Sequence, residues 1–226
     1  MNYQRLLELF WEFARYLESL HTLYLDSIAG YSILHERLLA HQQQMKHLLG
    51  NHEYATEQFQ DTCSMLYKDL CDKDFTPVAI WPVMKQGDIK ERTKEDGKNC
   101  LLLGAQCVVS AYLYWEEYLR IEIGKAIGVI GEGAKNDKKT RKILNKYVVS
   151  DLWGDIRLLR NSIIHNKGVA NSEIVKCNIF KWFKPDNFVE LDYQKMKVIF
   201  LSMCDFRNEL HNMSLPPWKG IKIPVK

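Results

Sequence analysis

The sequence predicts an all-α protein, an up-and-down helical bundle with room for a small β-hairpin after the helix that begins near residue 151. Three observations lead there. Apolar residues recur at steps of three and four through six stretches, the period of a helix that packs one face on its neighbours. Proline, glycine and charge cluster without any sustained period between residues 73 and 98, which reads as a connecting loop. Strand-favouring residues gather late, in Val175–Phe183 and Phe188–Leu191, where they predict the hairpin.

In chain order, residues 3–28 form the first predicted helix, striped by Leu6, Phe10, Phe13, Leu17, Leu20 and Tyr24 and widened by Leu7, Trp11 and Ala14. Gly30 is expected to break or bend the chain before a second helix at about 31–49, striped by Tyr31, Leu34, Leu38, Met45 and Leu48. Its histidines, His35, His41, His47 and His52, do not stack on one face and read as surface or boundary residues rather than metal ligands. After the Gly50-Asn51 turn, Ala55, Phe59, Cys63, Leu66 and Leu70 predict a third helix over about 52–72. Within the loop that follows, Pro77 and Pro82 leave Val78–Trp81 at most a short edge strand.

The most hydrophobic helix is predicted at about 99–129, with Leu101, Ala105, Val108, Tyr112, Trp115, Leu119 and Ala126 as its stripe. A basic run follows from Lys135 to Lys146. The helix from Asp151 carries Leu152, Ile156, Leu159 and Ile163 on one face, is capped by Ser150 or Asp151, and stops at Asn166-Lys167-Gly168, where Gly168 suits a left-handed cap. The last helix, about 192–213, repeats Met196, Ile199, Met203, Phe206, Leu210 and Met213 at three-four steps and ends before Pro216-Pro217 and the basic tail Trp218–Lys226. The domain expectation is a helical region over 1–72, a connection over 73–98 and a bundle over 99–226, with a single domain 1–226 as the alternative.

Composition narrows the class. With 46% hydrophobic and 26% charged residues, the chain is ordinary for a soluble globular protein and unlike a disordered one. A formal charge of +3 is too mild to argue for nucleic acid by itself. The six cysteines are scattered with no Cys-x-x-Cys pair, which disfavours a zinc site or disulfide framework and fits a reducing cytoplasm. The opening Met-Asn-Tyr-Gln-Arg, followed by Glu8 and Glu12, is not a signal peptide, and the run Asn99–Trp115 is too short for a membrane span. A soluble cytoplasmic protein without membrane contact is expected.

The chemistry concentrates on the helix from Asp151. Arg157, Asn161 and His165 recur at i, i+4 and i+8, and Arg160 projects beside them. The run Arg160-Asn161-Ser162-Ile163-Ile164-His165 resembles the signature of the HEPN superfamily (higher eukaryotes and prokaryotes nucleotide-binding domains): Arg, a polar residue, three residues, His. Arg15 and His21 fit a looser spacing, and Arg207-Asn208-Glu209-Leu210-His211 is a near miss. Neither has a small polar residue after the Arg together with a helix end just past the His. The resemblance implies a helical, usually dimeric protein and, in many members, a metal-independent ribonuclease, often a prokaryotic toxin or phage-defence effector. It places catalysis on Arg160 and His165, with Asn161 beside them.

Those residue types suit RNA cleavage by the 2′-hydroxyl. An imidazole changes protonation state near neutral pH and can take or give the proton. A guanidinium stays charged and offers a planar fork to the phosphate. Asn161, one turn before His165, is placed to orient the ring or bond the phosphate. Residues five apart on a helix differ by about 140° around it, so Arg160 and His165 are not expected to share a face, which favours a site completed across a homodimer. No metal or other cofactor is expected. Supporting roles are assigned to Glu116, Glu117 and Arg157, and RNA phosphate contacts to Lys138, Lys139, Arg141 and Lys142. The expected partners are RNA, a second copy and an antitoxin or regulatory protein. Two other classes fit the same residues: a non-catalytic HEPN-like RNA- or nucleotide-binding or scaffold module, and a helical adaptor with no nucleic-acid role.

Overall fold

The computed structural model describes residues 1–66, 69–70 and 83–215. It is mostly helical, at 73%, which bears out the all-α expectation. Its helices are α1 (Tyr3–Leu49), α2 (Glu57–Thr62), α3 (Gln86–Thr93), α4, α5 (Lys138–Tyr147), α6 (Asp151–His165) and α7 (Tyr193–Ser214). Here α4 is one continuous run of an α-helix Lys98–Tyr114, a π-helical turn Trp115–Leu119 and an α-helix Arg120–Ala126. Two compact units form: Met1–Leu23 with Gly104–Lys226, and Tyr24–Leu103.

The first unit is built around aromatic rings. Trp115 of α4 stacks on Trp153 of α6 at 4.8 Å and 3°, and Phe206 of α7 meets both edge-on at 5.4 and 5.5 Å. Phe13 of α1 closes the group at 5.8 Å from Phe206 and 6.1 Å from Trp153. Each such pair adds about 1 kcal/mol beyond the burial of its area. On α7 every predicted stripe residue is buried, from Met196 to Met213. Gly104 lets α4 come close to the following chain, since a Cβ there would lie 2.7 Å from the Leu191 carbonyl oxygen.

In the second unit Leu38, Met65, Leu70 and Ile89 form the core, joined by Leu34 and Met84. Strands β1 (Ser64–Leu66) and β2 (Val83–Lys85) pair antiparallel, with Met65 opposite Met84. Buried Gln42 donates to Asp61 at 2.8 Å and to Gln86 at 3.1 Å. The amide pair keeps polar atoms inside this small core without an unmet bond.

Several boundaries differ from the sequence expectation. Gly30 does not break the chain: α1 runs through it, because an exposed glycine costs a helix only about 1 kcal/mol when good helix formers flank it. The third helix is shorter than expected. Thr56 caps α2 through Phe59, and Cys63 is already extended, which turns the chain into β1. Part of the presumed loop is ordered as β2 and α3. The inward positions of α3 are Gln86, Ile89 and Thr93, so its helical period is carried by polar residues and is invisible in the hydropathy. The hairpin expected after α6 is replaced by a 3-10 turn, Ser172–Lys176, and a single bridge between Val169 and Phe188. The wide apolar face of the first helix is only partly buried, with Leu9 inside and Trp11 55% exposed. Val78–Trp81 and the tail Trp218–Lys226 lie outside the described residues.

The lost hairpin has a cause. Asp155, 1% exposed, accepts the backbone amides of Asn178, Ile179 and Phe180 at 2.7–2.8 Å, withdrawing them from any strand ladder. Asp155→Asn leaves a donor facing amides that need an acceptor. It is expected to cost on the order of 3 kcal/mol in urea unfolding. A loss below about 1 kcal/mol would show that these bonds do not hold the loop.

Candidate functional site

Helix α6 has the expected bounds, with Ser150 at its N-cap and His165 as its last residue. Leu152, Ile156 and Leu159 are buried and fix which way the helix faces, while Ile163 is half-buried. The chain leaves the helix through Lys167 and Gly168, both left-handed at φ 53° and 84°, and the Gly168 amide reaches back to the Ser162 carbonyl at 3.0 Å. This tight stop leaves His165 exposed at the end of the helix.

The motif residues converge. Arg160 Nη1 lies 2.7 Å from His165 Nε2 and donates to Asn161 Oδ1 at 3.1 Å. The expectation that Arg160 and His165 stay apart on different faces is therefore corrected: the arginine side chain is long enough to swing around the helix to the imidazole. A guanidinium only donates, so the contact requires a lone pair on Nε2, that is, a neutral ring carrying its proton on Nδ1. Arg160 also sits 5.8 Å from the centre of the Tyr112 ring, and its buried Nε has no hydrogen-bond partner among the described residues.

Tyr112 connects this group to a cavity of about 330 Å³. The cavity is walled by Trp115, Glu116 and Arg120 of α4, Arg141 and Asn145 of α5, and Trp153, Gly154 and Arg157 of α6, with Val148–Ser150 between the last two helices. Burial raises the Tyr112 phenol above its ordinary range and Glu116 adds to it, while Arg157, Arg120 and Arg160 pull the other way. Four charged groups thus surround one ring.

The supporting residues are distributed differently from the expectation. Glu116 pairs with Arg120 at 3.2 Å and stands 3.8 Å from Arg141, so it serves the cavity and not the motif. Glu117 is exposed, accepts from Asn136 at 2.7 Å and does not line the cavity. Arg157 lines the cavity and, among the described residues, makes no hydrogen bond or ion pair. Of the basic residues on α5, Arg141 faces the cavity; Lys138, Lys139 and Lys142 are exposed and outside its lining. Sequence reasoning missed Tyr112, Arg120 and Asn145. Arg120 is 9% exposed and bonds Val148 O at 3.1 Å and Asn145 Oδ1 at 2.7 Å. An arginine at the end of an apolar stripe was the available signal.

Among the described residues no three His, Cys, Asp or Glu side chains converge as a metal site requires, and no helix is long and apolar enough to cross a membrane. Comparison with family models, with curated proteins and with solved structures finds no match to this chain.

The geometry can be checked at the ring itself. In ¹⁵N-resolved NMR spectra the neutral His165 ring is expected to carry its proton on Nδ1, a preference lost in Arg160→Ala. A wild-type ring protonated on Nε2 would rule the contact out.

Proposed function

We propose that this chain is a HEPN-like, metal-independent endoribonuclease that cleaves RNA by attack of the 2′-hydroxyl. The observation that carries the reading is the convergence of Arg160, Asn161 and His165 within hydrogen-bonding distance. In the free protein Arg160 caps the lone pair of His165 Nε2. An RNA phosphate competes for the guanidinium, because a charge-assisted, bidentate bond to phosphate is stronger than one bond to a neutral nitrogen. Once Arg160 turns to the phosphate, Nε2 is free to take the 2′-hydroxyl proton. The 2′-oxygen then bonds phosphorus, the bond to the 5′-oxygen breaks, and Arg160 steadies the charge gathered on the phosphoryl oxygens. The products are a 2′,3′-cyclic phosphate and, once it gains a proton, a 5′-hydroxyl.

One copy supplies a base and a cation but only one imidazole at the motif. The leaving 5′-oxygen needs an acid, and His165 of a second copy is the simplest source. A homodimer is therefore part of the proposal. So is a cytoplasmic setting as a toxin or phage-defence effector, held in check by an antitoxin or regulatory partner.

The test is RNA cleavage in EDTA with analysis of the product ends. Wild type is expected to leave cyclic phosphates, and His165→Ala and Arg160→Ala are each expected to lose at least about 100-fold in rate with unchanged circular dichroism. An unchanged rate in either variant removes that residue from the mechanism. Tight RNA binding with no cleavage by wild type would favour the second reading, a binding module, for which the arginine-lined cavity speaks.

A further inference from the structure

The guanidinium of Arg160 is divided between inside and outside. Its Nε is buried with no hydrogen-bond partner among the described residues, while Nη1 reaches out to His165 Nε2 and Asn161 Oδ1. The carboxylates expected to orient the motif are engaged elsewhere, Glu116 with Arg120 and Glu117 with Asn136. Among the described residues Arg160 makes no ion pair, so something other than a counter-charge holds this cation in place.

An aromatic ring is there to do it. The Arg160 Cζ stands over the Tyr112 ring, 5.8 Å from its centre. The attraction between a cation and an aromatic face extends to about 6 Å and strengthens where water is excluded. Among the described residues the Tyr112 hydroxyl makes no hydrogen bond, so what Tyr112 offers Arg160 is its ring. Burial, helped by Glu116, raises the phenol above its ordinary range, and the ring stays an uncharged partner. Its own place is fixed by packing. Tyr112 lies one turn before Trp115 on α4, and Trp115 stacks at 4.8 Å on Trp153 of α6, the helix that carries Arg160.

We propose that Tyr112 is a positioning residue whose ring seats the Arg160 guanidinium, so that Nη1 is presented to His165 and, with RNA bound, to the scissile phosphate. An aromatic face holds a cation without neutralising it, whereas a carboxylate in the same place would cancel the charge and repel the phosphate. The buried Nε serves as the pivot, and only the outer nitrogens change partners. For its effect on rate the seat rests on the ribonuclease reading; for its existence it rests only on the contact between Arg160 and His165.

The first readout needs no RNA. In ¹⁵N-resolved spectra of the intact protein, Tyr112→Leu, which removes the ring, is expected to lose the Nδ1 preference of His165 as Arg160→Ala does. Tyr112→Phe, which keeps the ring, is expected to retain it. The second readout is RNA cleavage in EDTA. A seat orients the cation and adds no contact to RNA, so Tyr112→Leu is expected to lower kcat at least about fivefold with KM changed less than about twofold. Tyr112→Phe is expected to stay within about twofold of wild type in both. Circular dichroism checks the fold of each variant, and Tyr112→Met replaces a leucine variant that loses helical signal. The proposal is overturned by an Nδ1 preference that survives without the ring or is absent from wild type. Equal losses in Tyr112→Phe and Tyr112→Leu, or a kcat unchanged in Tyr112→Leu, overturn it as well. If wild type cuts no RNA, the ribonuclease reading fails, and the spectra still decide whether Tyr112 seats Arg160.

Discussion

A buried carboxylate fixes the part of the molecule that carries the chemistry. Asp155 is almost wholly inside and holds three consecutive amides of the returning chain at Asn178, Ile179 and Phe180. An ionised group that loses its water must recover the lost bonds from the protein, and three amides do so only at one rotation of α6. With Asp155 turned inward, Arg157 lies about 160° around the helix, on the face it shares with Trp153, where it lines the cavity. The aromatic stack of Trp115 and Trp153 supports the same rotation from the other side. Cavity and motif inherit their positions from a residue that takes part in neither.

Legibility in the sequence followed the kind of force at work. Where burial of apolar side chains decides, as along α7 and the inner face of α6, the period showed in the letters and the bounds were within a residue or two. Where polar residues occupy inward positions, as in α3, the period was hidden. Where long-range bonds remove amides from a strand, as Asp155 does, local propensity pointed to a hairpin that the chain does not make. The motif was legible as a spacing. The reach of Arg160 to His165 was not, because helical angles place Cβ atoms and a guanidinium extends far beyond its own. Tyr112, Arg120 and Asn145 come from two helices and become a group only in three dimensions.

The arginines illustrate how burial sets what a charge is for. Arg120, nearly inside, has all its directions taken by Glu116, Asn145 and Val148, and acts as a structural tie between α4 and α5. Arg157 is on the surface and, among the described residues, makes no hydrogen bond or ion pair, its charge being felt only at longer range, by Glu173 and Tyr112. Arg160 is between the two: half-buried, with its Nη1 on the motif and its Nε unmet. A guanidinium that is only partly satisfied can change partners at little cost, whereas the loss of a buried one's bonds is expensive.

The π-helical turn in α4 holds one residue of slack. Its wider winding brings the Arg120 amide onto the Trp115 carbonyl, with both Trp115 and Leu119 buried. A chain one residue shorter between these two would make the same bond as an ordinary helical one, so Arg120 and the residues after it would keep their facing towards Asn145 and the core. Elsewhere in a helix the loss of one residue turns everything beyond it by about 100°. Here the turn absorbs the change, and the middle of a long helix becomes a place where its length can differ by one without disturbing either end.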